Sequence, residues 1–269
     1  MEKLNNQIIG LITDFGARGQ HYVASMKGII LNINPKAIIV DIAHSITPYS
    51  IIETAYIIKS TFSLYPKNAI FIIVVDPGVG SSREIILIRT NSEYFFIGPN
   101  NGIFTNVFDS SEISNCIHIN NEHYFNIPVS KTFHGRDIMA PISAYLSQGV
   151  SIDNFGSNFP INKLVEFPIE LKKISNTEIR CTIQYVDEFG NIITNIKGNF
   201  VLLEEGAEMA IKTRKQKMKG KFVKIFEEVF VDSLLFIVGS TGFLEISKNQ
   251  GNAAMDLGLK VGDVIIIEL

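Results

Sequence analysis

The sequence predicts an α/β domain over residues 1–160 and an all-β domain over residues 176–269, joined by a linker at residues 161–175. In the first part, apolar strand-like runs alternate with segments whose apolar residues recur at helical spacing. This alternation indicates right-handed crossovers and a largely parallel sheet. Beyond Pro160 and Pro168 the chain contains short strand candidates and turns, a pattern typical of a small antiparallel barrel or sandwich.

The elements of the first domain follow from its apolar runs. Pro35 and Pro66 each end a helix, because proline lacks the amide hydrogen that the next turn needs. The run from Ala69 to Val75 is apolar throughout, as expected of a strand that is buried on both faces. The predicted strands are 8–13, 37–42, 69–75, 84–89 and 94–98, and the predicted helices are 20–33, 51–65 and 138–147.

The second domain is predicted from short strands at 182–186, 210–213, 234–238, 243–246 and 263–268. Residues 212–224 are basic. A nucleic-acid site would need aromatic residues among these charges or a wider basic face. The pattern favours a solvated hairpin or a charged edge strand, since lysine-rich edges prevent strands of different molecules from pairing.

Composition limits the classes of function. The chain has 269 residues, of which 46% are hydrophobic, so it can bury a sizeable core and is not a disordered chain. A net charge of -3 gives no general attraction for nucleic acid or for an anionic membrane. Cys116 and Cys181 lie far apart and are interpreted as reduced thiols. With neither a signal-peptide pattern nor an apolar run of about 20 residues, we expect a cytoplasmic protein.

Residues 76–83, Asp-Pro-Gly-Val-Gly-Ser-Ser-Arg, directly follow the most apolar strand. Ligands of open α/β sheets bind outside the carboxyl ends of the strands, where this loop is expected. Asp76 and Arg83 are therefore predicted to face each other in a binding site. A turn with an incidental salt bridge is the alternative.

Asp14 ends the first predicted strand. A carboxylate at this place can accept hydrogen bonds from a ribose diol, and it can equally serve as a turn residue or helix cap. The glycines that follow, Gly16 and Gly19, do not form a G-x-G-x-x-G motif, and a Walker A motif is absent. A phosphate-binding loop is therefore not indicated.

His134 lies where a helix is predicted to begin. The helix dipole there disfavours the imidazolium form, and a neutral ring can accept a proton from a water molecule. A structural histidine bonded to the backbone is the alternative. Arg136 and Asp137, which follow closely, are expected to pair with each other.

Two loops of the second domain carry binding groups. In residues 185–191, Phe189 can stack on a purine and Asn191 can bond to its edge, although a simple hairpin turn is the alternative. Residues 239–245 are rich in glycine and hydroxyl groups. The five histidines form no metal-binding pattern, and neither Ser81 nor Ser82 lies in a nucleophile elbow.

Taken in order, the motifs resemble the S-adenosyl-L-methionine hydroxide adenosyltransferases, which are related to the fluorinases and chlorinases. The motifs that carry the resemblance are ITDFG, MKG, VVDPGVGSSR, GPNNG, FHGRD, VDEFGN with TNI, and GSTGFLEIS with NQG and GD. They extend from Ile12 to Asp263. The resemblance implies a Rossmann-like N-terminal domain and a C-terminal β-barrel. It also implies a homotrimer whose active sites lie at subunit interfaces.

The resemblance further implies the reaction, which is attack of water on C5′ of S-adenosyl-L-methionine to give adenosine and L-methionine. No metal or redox cofactor is required. Water rather than halide is implied as the nucleophile, because the halogenase branch lacks the Asp-Pro-Gly-Val-Gly pattern. Two other functions stay open: a halide-using adenosyltransferase, and a protein that binds adenosine or S-adenosyl-L-methionine without reaction.

Motif by motif, the resemblance assigns roles to residues of both domains. The residues implied to handle the attacking water are Asp76, Arg83 and His134. Those implied to bind or border the substrate are Asp14 at the ribose, Tyr22 at the pocket edge, Phe189 and Asn191 at adenine, and Asp187 and Ser240 at the methionine end, with Glu245 in a matching segment. Two segments depart from the family pattern: residues 17–21, which leave the methionine contacts open, and residues 204–231.

Overall fold

The computed structural model describes residues 8–200, 204–213 and 216–269. The chain folds as two compact units, the first ending at Phe167 and the second running from Pro168 to Leu269. Each has its own hydrophobic core. Within the described ranges, none of the helices is long and apolar enough to cross a membrane.

The first unit is built on one seven-stranded sheet. In chain order its elements are β1 (Ile8–Thr13), α1 (Gln20–Ile33), β2 (Ile38–Ala43), α2 (Ile51–Thr61), β3 (Ile70–Val74), β4 (Ile85–Thr90), β5 (Phe95–Pro99), β6 (Ile113–Ile119), α3 (Ala140–Ser147) and β7 (Gly156–Asn158). The order across the sheet is β2-β1-β3-β5-β4-β6-β7. The first four are parallel to one another, and β4, β6 and β7 pair antiparallel. The sheet is therefore mixed.

Helices cover both faces of this sheet because each carries an apolar stripe. Val23, Met26 and Ile30 of α1 are buried and belong to the same core cluster as α3 and one face of β1 and β3. Ala55 and Ile58 of α2 belong to the cluster on the opposite face. The helix that contains α3 begins earlier than predicted, because a π-helical turn over Gly135–Met139 leads into it. The predicted α/β fold class is confirmed.

The second unit is a closed β-barrel. Its elements are β8 (Leu171–Lys173), β9 (Glu178–Val186), β10 (Ile192–Lys197), β11 (Glu208–Lys212), β12 (Lys217–Phe222), β13 (Leu234–Val238), β14 (Phe243–Lys248), α4 (Ala253–Leu257) and β15 (Val264–Glu268). The barrel order is β9-β10-β14-β13-β12-β11-β15, and β15 pairs with β9 again. Neighbours are antiparallel except β12 and β13, which are parallel. The predicted barrel is confirmed, with this one parallel pair.

The structure gives further detail on several segments that were interpreted from the sequence. The segment expected to be a linker, residues 161–175, contains β8, which pairs with β9 beside the barrel. The basic segment forms the β11–β12 hairpin, so the solvated hairpin is the correct alternative and the edge strand is wrong, since β12 pairs on both sides. Arg214 and Lys215 of that segment, and residues 1–7, where the signal-peptide pattern was sought, lie outside the described residues. Cys116 and Cys181 are free and buried.

Candidate active site

The first candidate site is a cavity of about 320 Å³ at the carboxyl ends of the parallel strands. Thr13, the last residue of β1, is in register with Val74, the last residue of β3. Asp14 directly follows β1, Asp76 is the second residue after β3, and both line the cavity, as does His134. Three residues predicted from three separate motifs are thereby brought together.

Asp76 and Arg83 form an ion pair. Arg83 Nη1 lies 3.0 Å from Asp76 Oδ1, and the Asp76 side chain is only 8% exposed. The same Oδ1 accepts a hydrogen bond from the Gly78 amide at 2.8 Å, which closes a tight turn. A Cβ on Gly78 would lie 2.5 Å from Arg83 Nη2, so glycine lets the guanidinium rest against the backbone.

Gly80 allows this loop to pack on the segment before His134. Its φ is +81°, and a Cβ there would lie 2.1 Å from the carbonyl oxygen of Lys131. Only glycine combines this left-handed backbone with so close an approach. The Asp76–Arg83 loop and the chain leading to His134 are therefore held against each other by backbone contact.

The segment around His134 is anchored by Asp137. This fully buried carboxylate accepts two hydrogen bonds from Arg136, at 2.7 and 2.8 Å, one from Asn126 and one from the Ser130 amide. Burial alone would raise the pKa of Asp137, but these bonds outweigh it and hold the pKa below its usual value. The predicted pairing of Arg136 with Asp137 is confirmed and stabilises the start of the helix.

Asp14 is held by a loop that the sequence did not point to. Its Oδ2 accepts a hydrogen bond from the Tyr49 amide at 2.9 Å, and Tyr49 lines the same cavity. Burial raises the pKa of Asp14, the Tyr49 hydrogen bond lowers it, and the charge of Asp76 adds to the increase. Tyr49 has a φ of +68°, a conformation that non-glycine residues rarely adopt. The available signal was its position after β2, whose carboxyl end lies beside that of β1.

Tyr22 borders this cavity through an aromatic cluster. Its ring centroid lies 5.4 Å from that of Phe15 and 5.4 Å from that of Phe133, and both of these line the cavity. Asn101 of the Gly-Pro-Asn-Asn-Gly loop holds the chain just before Asp76, since its Nδ2 donates to the carbonyl oxygen of Val75 at 2.9 Å.

The second candidate site is a cavity of about 970 Å³ in the barrel unit. The five residues predicted in this unit all line it: Asp187, Phe189, Asn191, Ser240 and Glu245. They come from the β9–β10 and β13–β14 connections and from β14 itself. The same cavity is also lined by Phe226, which lies in the segment that departed from the family pattern.

Asp187 organises one wall of the second cavity. Its Oδ1 accepts from the amides of Phe189 and Asn191 at 3.0 and 2.8 Å, and its Oδ2 accepts from Asn191 Nδ2 at 2.8 Å. The turn leaves the Phe189 ring 78% exposed. An exposed ring above a cavity can stack on a planar ligand.

Glu245 lies opposite this turn against a glycine. A Cβ on Gly239 would lie 1.6 Å from Glu245 Oε1, so the carboxyl group occupies space that any other residue would fill. Burial and the charge of Asp187 raise the pKa of Glu245 to about 7. A cationic group in this cavity would stabilise both carboxylates. Among residues 8–200, 204–213 and 216–269, no cluster of three or more histidine, cysteine or acidic side chains is arranged to hold a metal ion.

Comparisons with known proteins match both units. Residues 9–156 match the SAM hydroxide adenosyltransferase N-terminal domain, and residues 181–266 match the C-terminal domain of that family. The chain is 38% identical over 270 residues to the (R)-S-adenosyl-L-methionine hydrolase of Methanocaldococcus jannaschii, covering 97% of this chain and 95% of that protein. It is 24% identical over 295 residues to the fluorinase of an Actinoplanes strain, covering 97% of each.

A solved structure has the same fold over its whole length. An uncharacterized conserved protein from Thermotoga maritima superimposes with a TM-score of 0.91 at 32% identity, covering 97% of this chain and 100% of that one. The family predicted from the ordered motifs is thus confirmed: the chain belongs to the SAM hydroxide adenosyltransferase family.

Proposed function

We propose that this protein hydrolyses S-adenosyl-L-methionine by attack of water on C5′, giving adenosine and L-methionine. The observation that carries this proposal is the Asp76–Arg83 ion pair, whose carboxylate lines the same cavity as His134 and Asp14. Relatives named (R)-S-adenosyl-L-methionine hydrolase are 38%, 29% and 28% identical to the chain, whereas those named fluorinase are 24% identical or less.

The reaction needs a group that activates the nucleophile, but no group that assists the leaving group. The C5′–S bond breaks with its electron pair going to sulfur, and the positive sulfonium departs as a neutral thioether. It needs no proton, and the proposed step requires no metal or redox cofactor. Water is a weak nucleophile, so the protein must stabilise hydroxide as it develops. A cation beside the water can stabilise the negative charge, and a proton acceptor can take up the proton.

Arg83, Asp76 and His134 each have a proposed part in this step. The Arg83 guanidinium stabilises the negative charge that develops on the attacking water. Asp76 holds the guanidinium in place at 3.0 Å. His134 accepts the proton as the water oxygen bonds to C5′. Positioning the water in line with the C5′–S bond supplies much of the remaining rate, because the reaction becomes effectively intramolecular.

The remaining site residues are proposed to bind the substrate. Asp14 accepts hydrogen bonds from the ribose hydroxyls, and Tyr22 borders the pocket there. In the barrel cavity, Phe189 and Asn191 hold adenine. Asp187 and Ser240 hold the methionine end, and Glu245, beside Asp187, adds negative charge to that end.

We further propose, from the family resemblance, that the protein is a cytoplasmic homotrimer whose active sites lie at subunit interfaces. Light scattering of the purified protein measures its mass directly. A trimer of the 30.0 kDa chain agrees with the proposal, and a stable monomer with full activity contradicts it.

Incubation with purified substrate epimers tests the reaction. The relatives are named for the (R) epimer, so (R)- and (S)-S-adenosyl-L-methionine are incubated separately. We expect adenosine and L-methionine in equal amounts, with faster release from the (R) epimer. A parallel incubation in chloride or fluoride separates the alternatives. Formation of a 5′-halo-5′-deoxyadenosine indicates a halide-using adenosyltransferase, and tight binding without any product indicates a binding protein.

A further inference from the structure

A β-bulge in β2 brings together two side chains that a regular strand would keep apart. β1 and β2 pair in register from Ile8 to Leu11, which lies opposite Asp41, but Ile12 then lies opposite Ala43. Ile42 is therefore an extra residue. Side chains three positions apart point to opposite faces of a regular strand. Here His44 Nε2 lies 2.9 Å from Asp41 Oδ1, and bulges commonly redirect side chains in this way beside active sites.

The two residues belong to a continuous chain of polar contacts. Lys27 of α1 donates to Asp41 Oδ2 at 2.6 Å. The other nitrogen of the His44 ring, Nδ1, lies 3.0 Å from the hydroxyl oxygen of Thr13, which is fully buried at the end of β1. The next residue in sequence is Asp14. The chain therefore runs from the protein surface to the residue that precedes a site carboxylate.

The direction of the hydrogen bonds to Asp41 follows from its charge. Burial works to raise its pKa, but the hydrogen bonds with His44 and Lys27 outweigh burial and hold the pKa below its usual value. An ionised carboxylate only accepts hydrogen bonds, so His44 Nε2 carries a hydrogen. When the ring is neutral, Nδ1 is an acceptor and can receive the hydroxyl hydrogen of Thr13.

His44 also ties together the two loops that surround Asp14. The carbonyl oxygen of His44 accepts from the Gly16 amide at 2.6 Å, and five residues later the Tyr49 amide donates to Asp14 Oδ2. Together with the contact between the His44 ring and Thr13, these bonds tie the segment from His44 to Tyr49 to Asp14 and to the residues around it. His44 does not itself line the cavity.

We propose that His44, held by Asp41 and Lys27, is a positioning residue that sets the place of Asp14 through Thr13. The proposal rests on the proposed function in one respect, namely that Asp14 binds the ribose hydroxyls. His44 touches neither substrate nor the reacting atoms. Its effect is on how well the nucleoside is held, and less on the chemical step.

Adenosine affinity, measured by calorimetry, tests this independently of turnover. Thr13→Val removes only the hydroxyl, and His44→Leu removes both ring contacts. Each is expected to weaken adenosine binding about five- to tenfold, the effect of losing one hydrogen bond. KM for S-adenosyl-L-methionine should rise by a similar factor, and kcat should change less. His118→Leu is the matched control, since His118 is a part-buried histidine of β6 outside the cavity. The affinity of this variant for adenosine should stay within about twofold of that of the wild type.

Two conservative variants separate the two sides of the ring. His44→Asn places an amide near Nδ1 and keeps the contact with Thr13, whereas His44→Gln places one near Nε2 and keeps the contact with Asp41. Because the proposal routes the effect through Thr13, asparagine should restore most of the affinity and glutamine should not. Equal affinities for the two variants would contradict this route.

A double-mutant cycle distinguishes positioning of Asp14 from a general structural role. In an Asp14→Asn background, Thr13→Val should cause little further loss of adenosine affinity, because the residue it positions has already lost its charge. Additive losses would overturn the proposal. A fold defect in His44→Leu would appear in thermal unfolding. In that case Asp41→Asn tests the same chain of polar contacts with a milder change, because Asp41 is half-exposed.

Adenosine binding and adenosine formation by the wild-type protein distinguish failure of this inference from failure of the proposed function. If it binds adenosine but forms none from S-adenosyl-L-methionine, hydrolysis is wrong and the affinity series still decides the role of His44. If it hydrolyses the substrate and the Thr13 and His44 variants bind adenosine like the wild type, only the positioning role is wrong. If it neither binds adenosine nor forms it from S-adenosyl-L-methionine, both are wrong.

Discussion

Asp76 and Arg83 pair across the end of a strand that lies between their own strands. Asp76 follows β3 and Arg83 precedes β4, but β5 separates these two strands in the sheet. Neighbouring strands are about 4.8 Å apart, so the gap is roughly 10 Å. The long arginine side chain closes it and brings Nη1 to 3.0 Å from Asp76 Oδ1. The pair therefore places a fixed cation beside the cavity instead of merely closing a turn.

The first prediction concerns the charge of Asp76. Asp76→Asn keeps the size of the side chain but removes the charge that holds Arg83. We expect kcat to fall about 10²- to 10⁴-fold, the range typical of groups that assist proton transfer, while the dissociation constant for substrate changes much less. Single-turnover kinetics and equilibrium binding measure the two quantities separately.

Asp153→Asn is the control for this variant, since Asp153 is an exposed carboxylate of the same unit outside the cavity. Its kcat should equal that of the wild type. Arg83→Ala and His134→Ala should resemble Asp76→Asn in slowing turnover more than they weaken binding. Loss of binding with turnover intact would make all three residues structural.

The second prediction concerns Gly80. Gly80→Ala places a methyl group 2.1 Å from the Lys131 carbonyl oxygen at a backbone φ of +81°. The loop must move, and we expect kcat/KM to fall about 100-fold because a displacement of about 1 Å in a site has an effect of that size. The free energy of unfolding should fall by about 1–3 kcal/mol.

Gly149→Ala supplies the matched control for Gly80→Ala. Gly149 also has a positive φ, +92°, but a Cβ there meets no atom within 4 Å. It carries the backbone strain without the collision. Its stability should fall by about 1 kcal/mol with normal activity. Equal activity of the two alanine variants would show that the approach of the loop to Lys131 is not needed for catalysis.

The third prediction concerns pH and Glu245. Its folded-state pKa is raised to about 7, above the usual value of 4.5. Between these values the folded protein holds a proton that the unfolded chain has lost. The contribution of this group to stability is therefore complete below pH 4.5 and declines as the pH rises to about 7.

Glu245→Gln removes this dependence, because glutamine stays neutral at every pH. Relative to the wild type, the variant should gain about 1 kcal/mol between pH 5 and pH 8, a value reduced for the partial exposure of the group. Urea unfolding of both proteins at the two pH values measures the difference. A difference that does not change with pH would show that the carboxyl group is ionised in the folded protein throughout.

The fourth prediction concerns Phe189. Phe189→Ala should leave the melting temperature nearly unchanged because the ring is 78% exposed. It should weaken adenosine binding about 5- to 150-fold, since stacking of a base on an aromatic ring is worth about 1–3 kcal/mol. Phe230→Ala is the control: that ring is 90% exposed in the same unit and does not line the cavity. Equal adenosine affinities of the two variants would exclude stacking on Phe189.

The sequence predicted those parts of the site that depend on local pattern. Asp14 and Asp76 follow apolar strands, and the carboxyl ends of parallel strands meet at one edge of a sheet. The ordered motifs identified the family. Of the residues chosen from them, Arg83 and Tyr22 contact residues that line the first cavity, and all the others line one of the two cavities themselves. The roles of those residues stay predictions until the variants are measured.

What the sequence did not reveal depends on tertiary contacts. Tyr49 bonds to Asp14 only because β2 lies beside β1, and neither strand order nor a positive φ is visible in the residues. The bulge at Ile42 is set by pairing register, so the contact between Asp41 and His44 was not expected. The close approach of Gly80 to Lys131 likewise joins two segments that are about 50 residues apart in the chain, so it was not visible in the sequence.

Hydrolysis in water enriched in oxygen-18 tests the central claim most directly. The purified protein is incubated with S-adenosyl-L-methionine, and both products are examined by mass spectrometry, with Asp76→Asn alongside. The account predicts one oxygen-18 atom in the 5′ hydroxyl group of adenosine, none in L-methionine, and a much slower appearance of labelled adenosine with the variant. Adenosine without the label, or equal rates for the two proteins, would contradict it.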